Sequence, residues 1–226
     1  LKTIAAFKAK AEVQGDPNYL KTRKKEAGKL LRLLDQDLEG DYQKNIESDI
    51  NSSELSRVEG AITLLNDQLI IHSKKNIDEA YDLLAQGSAG LAYWSAKHSL
   101  DLAMRYREAH KTGGYRPQDT RVVNDLESRM VLFGSGKAIS DLSREMVDLF
   151  ADVGFFGTDE GTNEEYQQKA AEAYSQITNI LNSAPENAKL LQPTVAEVFD
   201  RTQNRVIELV RKGDFVRAVL LNAAIE

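Results

Sequence analysis

Apolar residues recur at three- and four-residue steps along almost the whole chain, and only four prolines occur in 226 residues. That spacing lines one face of a 3.6-residue helix, and nowhere do five or six residues alternate apolar and polar as a half-buried strand requires. The chain is therefore read as all-α. A first helix carries Ile4, Phe7, Ala11 and Val13 and meets Gly15-Asp16-Pro17-Asn18, where Asp16 suits a cap and Pro17 a first turn. A second runs Leu20, Ala27, Leu30, Leu31, Leu34, Leu38 to a break at Gly40-Asp41, with Ser52-Ser53-Glu54 as the next cap.

From Leu55 the pattern Val58, Ile62, Leu65, Leu69 continues through Leu84, Leu91, Trp94 and Leu102 to about Lys111 without proline. Unbroken, this third helix would be roughly 85 Å long at 1.5 Å per residue. Asn76 to Glu79 would restart a helix, and Gly87-Ser88-Ala89-Gly90 weakens one, so both are places where it would bend. Thr112 to Pro117 is the strongest loop and divides the sequence near its middle. A fourth helix then carries Val122, Val123, Leu126, Met130 and Phe133 into an expected break at Gly134-Ser135-Gly136. A fifth carries Ile139, Leu142, Met146, Leu149, Phe150 and Val153 into the turn-rich Gly154–Asn163 segment. The sixth runs from Tyr166 through Ile177 and Leu181, pauses around Pro185 and Pro193, and resumes with Val195, Phe199, Val206 and Leu209. Gly213-Asp214 closes it and caps a short tail helix.

An offset of 119 residues aligns the halves: Gly15 falls on Gly134, Leu20 on Ile139, Leu30 on Leu149, Val58 on Ile177 and Ile62 on Leu181. Each half reads helix, break, helix, loop, long helix, and the coinciding breaks are the better part of that match. The expectation is an elongated up-down arrangement of six helices forming two stacked four-helix bundles with two long shared helices. One bundle would take approximately residues 1–14, 92–133 and 195–226, and the other 17–91 and 137–194.

Composition and motifs exclude more than they assign. A net charge of −6 argues against nucleic acid as the main partner, and the basic cluster Lys21 to Lys25 with Lys29 and Arg32 has the spacing of a solvated helix face. Zero cysteines rule out disulfides, thiolate metal sites and cysteine nucleophiles, and fit cytoplasm or periplasm alike. The chain opens on Leu1 without a signal-like segment and is read as an excised or processed piece. Phe133 to Ala138 hints at a phosphate loop, but Val131 stands where the first glycine belongs and Ala138 where Ser or Thr would bind magnesium. Asp159 to Glu165 lacks EF-hand spacing. His72, His98 and His110 make neither a Glu-x-x-His pair nor a zinc motif, and no serine sits in a Gly-x-Ser-x-Gly elbow. No enzyme, metal or cofactor is expected. Tyr93, Trp94 and Tyr106 are either plain core or an aromatic wall for a ligand.

Several cations fall on or beside the inferred seams: Arg105 after His98 and Leu102, Arg129 between Leu126 and Phe133, and Arg201 and Arg205, with Thr202, between Phe199 and Val206. In the offset comparison Lys10 falls on Arg129, with Lys8 close by. A buried cation is costly unless paired. The partner is either a carboxylate of the protein itself or an outside anion. If the short arms run alongside the long helices, Lys8, Lys10, Arg105, Arg129, Arg201 and Arg205 gather at one end of the bundle. Guanidiniums grip carboxylates through paired hydrogen bonds, with Thr202 adding a hydroxyl, so the constellation would hold a small organic acid.

Six helices, two of them long and shared between stacked bundles with both termini at one end, resemble the helical bimodular sensor domain of bacterial chemoreceptors. The stretch Val206-Ile207-Glu208-Leu209-Val210-Arg211-Lys212-Gly213-Asp214-Phe215-Val216-Arg217-Ala218 is similar to the end of helical chemoreceptor ectodomains before they re-enter the membrane. The resemblance implies a periplasmic domain normally held between two membrane spans, which lie outside this sequence. It also implies a homodimer, a small organic acid ligand and signalling by helix displacement. The family's arginines of helices 1, 4 and 6 and a nearby Thr match Arg129, Arg201, Thr202 and Arg205, while helix 1 departs by offering Lys8 and Lys10. Lysine lacks the planar fork, which puts a dicarboxylate in doubt. The competing readings are the periplasmic part of a helical histidine kinase and a non-sensing helical scaffold or adaptor.

Overall fold

The computed structural model describes residues 17–34, 37–38, 40–110, 117–150 and 160–223. Among these, every regular element is a helix: α1 (Pro17–Leu33), α2 (Gly40–Asn51), α3 (Leu55–Ala85), α4 (Ala89–His110), α5 (Pro117–Leu149), α6 (Glu160–Ser183), α7 (Pro185–Arg211) and α8 (Phe215–Ala223). The all-α expectation holds. The expected first helix, the loop over 112–116, most of the turn-rich segment after Gly154, and Lys8 and Lys10 lie outside the described residues.

The chain divides into two compact units, one of residues 1–75 and 99–123, the other of 76–98 and 124–226. In the first, Ala27, Leu30 and Leu34 of the α1 segment meet Ile46 and Ile50 of α2 and Val58, Ala61, Ile62, Leu65 and Leu69 of α3, with Leu102 of α4 completing the core. The heptad-like run from Val58 to Leu69 is thus a buried stripe, as its spacing requires. His72 continues it with little exposure, and its Nδ1 lies 3.7 Å from Asp37 Oδ1. The basic run of α1 keeps Lys21 and Lys25 exposed, in line with a solvated face.

The long third helix does not form as one rod. It ends at Gly87, whose φ of +79° is left-handed, and the N–H of Ser88 donates to Leu83 O while that of Gly87 donates to Leu84 O. These paired bonds are a Schellman stop, satisfying carbonyls that α3 would otherwise leave open. The chain then turns back as α4. Ser73 and Ser99 exchange bonds through hydroxyl and carbonyl at 2.8 and 2.7 Å, and Ser95 Oγ donates to Asn76 O at 2.8 Å. Partners that step backward in number as their opposites step forward mark an antiparallel helix pair. Asn76, the other suspected restart, is interior to α3.

The second unit corrects two further boundaries. Gly134-Ser135-Gly136 is no break but the interior of α5, so the coinciding breaks that favoured two equivalent halves do not coincide. A Cβ on Gly136 would stand 3.2 Å from Leu84 Cδ1 and 3.3 Å from Leu191 Cδ2; the glycine serves close packing rather than a turn. Pro185 does open a helix, after Ala184, but α7 runs on through Pro193. Burial of Leu191, Thr194 and Val198 around it offsets the roughly 3 kcal/mol that an interior proline costs. At the Gly87 turn, a Cβ would approach Pro193 O to 3.1 Å and Glu197 Cβ to 3.3 Å, so the hairpin tip seats on α7 only because residue 87 has no side chain. Asp214 behaves as expected: Gly213 (φ +79°) stops α7, and Asp214 Oδ1 accepts the Arg217 N–H at 3.3 Å as the cap of α8.

These assignments give opposite expectations for two glycines. Gly134→Ala, with nothing within 4 Å of the added Cβ, should raise stability by about 0.5–1 kcal/mol by the helix preference of alanine. Gly87→Ala should lower it by at least about 1–2 kcal/mol, the cost of a left-handed non-glycine residue. Urea denaturation of the two variants checks both signs; no gain in Gly134→Ala would return residues 134–136 to a break.

Candidate functional site

Helix α7 presents one buried stripe: Leu191, Thr194, Val198, Thr202 and Leu209. Steps of seven from Leu191 reach Val198 and then Arg205, so a guanidinium occupies a position where the pattern calls for an apolar side chain. The Arg205 side chain retains 11% of its exposure. Its Nη2 donates to Phe150 O at 2.8 Å, just past the end of α5, where open carbonyls and the negative end of the helix dipole favour a cation. Its Nη1 donates to Glu208 Oε2 at 2.6 Å. Its Nε is buried with no hydrogen-bond partner.

One turn earlier, Arg201 donates from Nη2 to Glu197 Oε1 at 2.5 Å and from Nη1 to Ser140 O of α5 at 3.3 Å. Glu197 Oε2 is itself buried without a partner. The two arginines line an open groove of about 380 Å³ between α5 and α7, together with Val147, Asp148, Glu197, Asp200, Asn204 and Glu208. Its polar lining is mixed: four carboxylates face two guanidiniums. Sequence reasoning found the arginines and missed the acids. The signal was present as acid–base spacing along α7, Glu197 four before Arg201 and Glu208 three after Arg205.

The other expected site residues do not join this groove. Thr202 is fully buried, and its hydroxyl donates to Val198 O of its own helix at 2.9 Å, which leaves its proton turned away from any ligand. Arg129 lies 18 residues before Val147 on the same α5, roughly 27 Å along the helix axis. There it pairs with Asp125 at 2.8 Å and stacks 5.8 Å from the Tyr81 ring. Burial pulls the Arg129 pKa down, but the hydrogen bond and charge of Asp125 and the Tyr81 hydroxyl outweigh it, so the group sits above the ordinary arginine value. Arg105 belongs to the first unit and pairs with Glu108 at 3.2 Å. Lys8 and Lys10 lie outside the described residues.

The remaining sequence candidates resolve as structure. The Phe133 to Ala138 segment is helical, and Lys137 pairs with Asp141. Tyr106 packs on the first unit's core, whereas Trp94 is 56% exposed beside Tyr93 and under the ammonium of Lys97. Among the described residues no group of three or more His, Asp or Glu is placed to hold a metal ion, and no helix is long and apolar enough to cross a membrane. Arg217 is more deeply buried than any of the expected arginines, but it closes on Asp214 at 3.1 Å and lies against the Tyr166 ring. Compared with family models, curated proteins and solved structures, the chain matches none of them.

Arg205 and Thr202 should separate cleanly in denaturation experiments. Arg205→Met keeps the volume of the side chain and removes a desolvated charge, so its stability should stay within about 1 kcal/mol of the parent. Arg205→Ala loses the same donor to the Phe150 carbonyl and in addition leaves a void, so it should cost about 2 kcal/mol more than the Met variant. Thr202→Val should be neutral to within about 0.5–1 kcal/mol, because a backbone-directed hydroxyl is exchanged for a methyl in an apolar seam. A large loss in Thr202→Val would show that the hydroxyl has another partner.

Proposed function

We propose that this chain is a ligand-binding sensor domain of the bacterial chemoreceptor kind and that it holds a small carboxylate-bearing molecule in the groove between α5 and α7. The observation that carries the reading is Arg205: a guanidinium on the buried stripe of α7, one turn from a second, both of them lining one groove. Natural seams place apolar residues at such positions, and a charge kept there against its desolvation cost marks a functional position. A ligand carboxylate in the groove would displace the half-exposed Glu197 or Glu208 and take its place on the fork of Arg201 or Arg205.

The reading extends to the arrangement the sequence resembles, two stacked helical bundles outside the cytoplasm, acting as a homodimer between membrane spans. Signalling requires a ligand that prefers one position of α7 over another, since only differential affinity shifts an equilibrium. Helix α7 is suited to that: Leu209, one turn past Arg205, packs with Ala218 and Leu221 of α8, so displacement at the groove is transmitted to the last described helix.

A second reading, a scaffold without a small ligand, is favoured by one observation. Arg105, Arg129, Arg201 and Arg205 each already have a carboxylate on their own helix. Thermal unfolding with two- to six-carbon acids, with and without an amino group, decides between the two. A binder at a hundredfold its Kd adds about 2.7 kcal/mol and raises the Tm by several degrees. The rise should vanish in Arg205→Met and persist in Arg129→Ala, whose site is elsewhere on α5. A flat response to the whole panel would favour the scaffold.

A further inference from the structure

We infer that the exposed apolar face formed by the end of α7 and by α8 is the surface on which two copies of this chain associate, α8 of each copy seating in the α7–α8 groove of the other. The inference gives the homodimer of the proposed function a surface, and it does not depend on a ligand between α5 and α7. Helix α8 buries Ala218 and Leu221 in the core it shares with Leu209 of α7. Its other side turns Phe215, Val216 and Val219 outward, at 63, 58 and 67% exposure. The end of α7 adds Ile207 and Val210, at 47 and 45%. Five large apolar side chains between residues 207 and 219 thus stand in water, where their burial against another apolar surface is favourable.

Charge, shape and size together select a second copy as the occupant. The one ionisable residue of α8, Arg217, is buried and closed on Asp214 at 3.1 Å, so the outer side of α8 offers no complement to an acidic or a basic partner. In shape the face holds both halves of a packing contact. Phe215 and Val219 form a ridge along α8, and beside it an open groove of about 380 Å³ is lined also by Val206, Val210, Ala218 and Asn222. A surface with ridge and groove side by side is complementary to itself about a two-fold axis, where residue i of one copy meets j of the other and j meets i. The exposed parts of the five apolar side chains come to roughly 500 Å², in the range of functional patches on small proteins. With the rim of Arg211, Lys212, Asn222 and Ala223, all exposed, the face approaches the ~800 Å² that each partner contributes to a stable complex. An antiparallel crossing of the two α8 helices places the Arg211–Lys212 turns of the copies at opposite ends, so their like charges stay apart at a polar rim.

Sedimentation equilibrium of the 226-residue chain, without added ligand and at on the order of 100 μM, tests this; that concentration is well above the micromolar Kd of the weaker interfaces of this size. The parent should sediment at twice the monomer mass, and Val216→Asp and Val219→Asp at the monomer mass. Val131→Asp, an equally exposed apolar position on α5, should remain dimeric. All three positions are more than half exposed, so aspartate there leaves the fold intact, and unchanged far-ultraviolet circular dichroism checks it. A dimer that survives both Val216→Asp and Val219→Asp would overturn the inference and leave the homodimer standing on another face. A monomeric parent would overturn the inference and the homodimer together while leaving the ligand groove untouched. In that case flotation with phosphatidylglycerol vesicles, lost in Val219→Asp, would assign the face to lipid, and a lowered Tm in Val219→Asp without flotation would assign it to a segment of the chain itself.

Discussion

The second unit depends on the buried stripe of α7. Leu191 meets the Gly136 face of α5 and, across it, Leu84 of the hairpin tip; farther along, Leu209 joins Met146, Phe150, Ala170 and Ala173 in a core shared with α8. Every other element of the unit packs against this stripe or against a neighbour that does. The approach is close enough to require bare backbone at Gly87 and Gly136. A seam fitted so tightly has few degrees of freedom, and a side chain that breaks its apolar pattern is held in one place by everything around it. Arg205 is such a side chain.

What holds Arg205 is largely the end of another helix. The Phe150 carbonyl that receives its Nη2 follows the last residue of α5, where backbone acceptors lack intrahelical donors. The cation and the helix end therefore satisfy one another, and that contact explains how a guanidinium persists on a buried stripe. It does not explain Nε. A guanidinium that only capped α5 would need no groove beside it, yet Arg205 lines one together with Arg201, Asp148 and Asp200. The structural role fixes the arginine; on the proposed reading, the part of its side chain that lines the groove serves recognition as well.

Much of the fold was legible because it follows from periodicity. The run Val58 to Leu69, the opening of helices at Pro17 and Pro185, and the cap at Asp214 are local effects that a sequence states directly. The glycines were legible only in part. Gly87 and Gly136 look alike as helix breakers, but one adopts φ +79° and ends a helix while the other stays helical and admits Leu84 and Leu191. Which of these a glycine does depends on what lies opposite it, and the partners are more than fifty residues away for Gly136. The site shows the same division. Arg201 and Arg205 were found because charge on an apolar stripe is visible in one helix, whereas Arg129 was grouped with them by assuming that short arms run alongside the long helices, and the helix that carries it runs on past Gly134 without the expected break. Asp148 escaped notice because nothing in α5 alone marks it; it matters only through the groove that α7 forms against it.

The paired state of the arginines is the strongest argument that they are structural, and its weight depends on what the pairs are worth. Arg201 and Arg205 bond to carboxylates on their own helix at spacings of four and three, and the Glu197 and Glu208 side chains keep 39% and 53% of their exposure. Half-exposed pairs of this kind contribute about 0.2–1 kcal/mol. Such a contribution is small beside the cost of removing a guanidinium from water, so the pairs do not by themselves account for a charge on the α7 stripe. They do keep the forks ordered and facing the groove before any ligand arrives. Side chains pre-set in this way lose little freedom on binding, and a ligand need only exchange one weak partner for a better one. On the proposed reading, internal pairing and ligand recognition are successive states of the same two arginines.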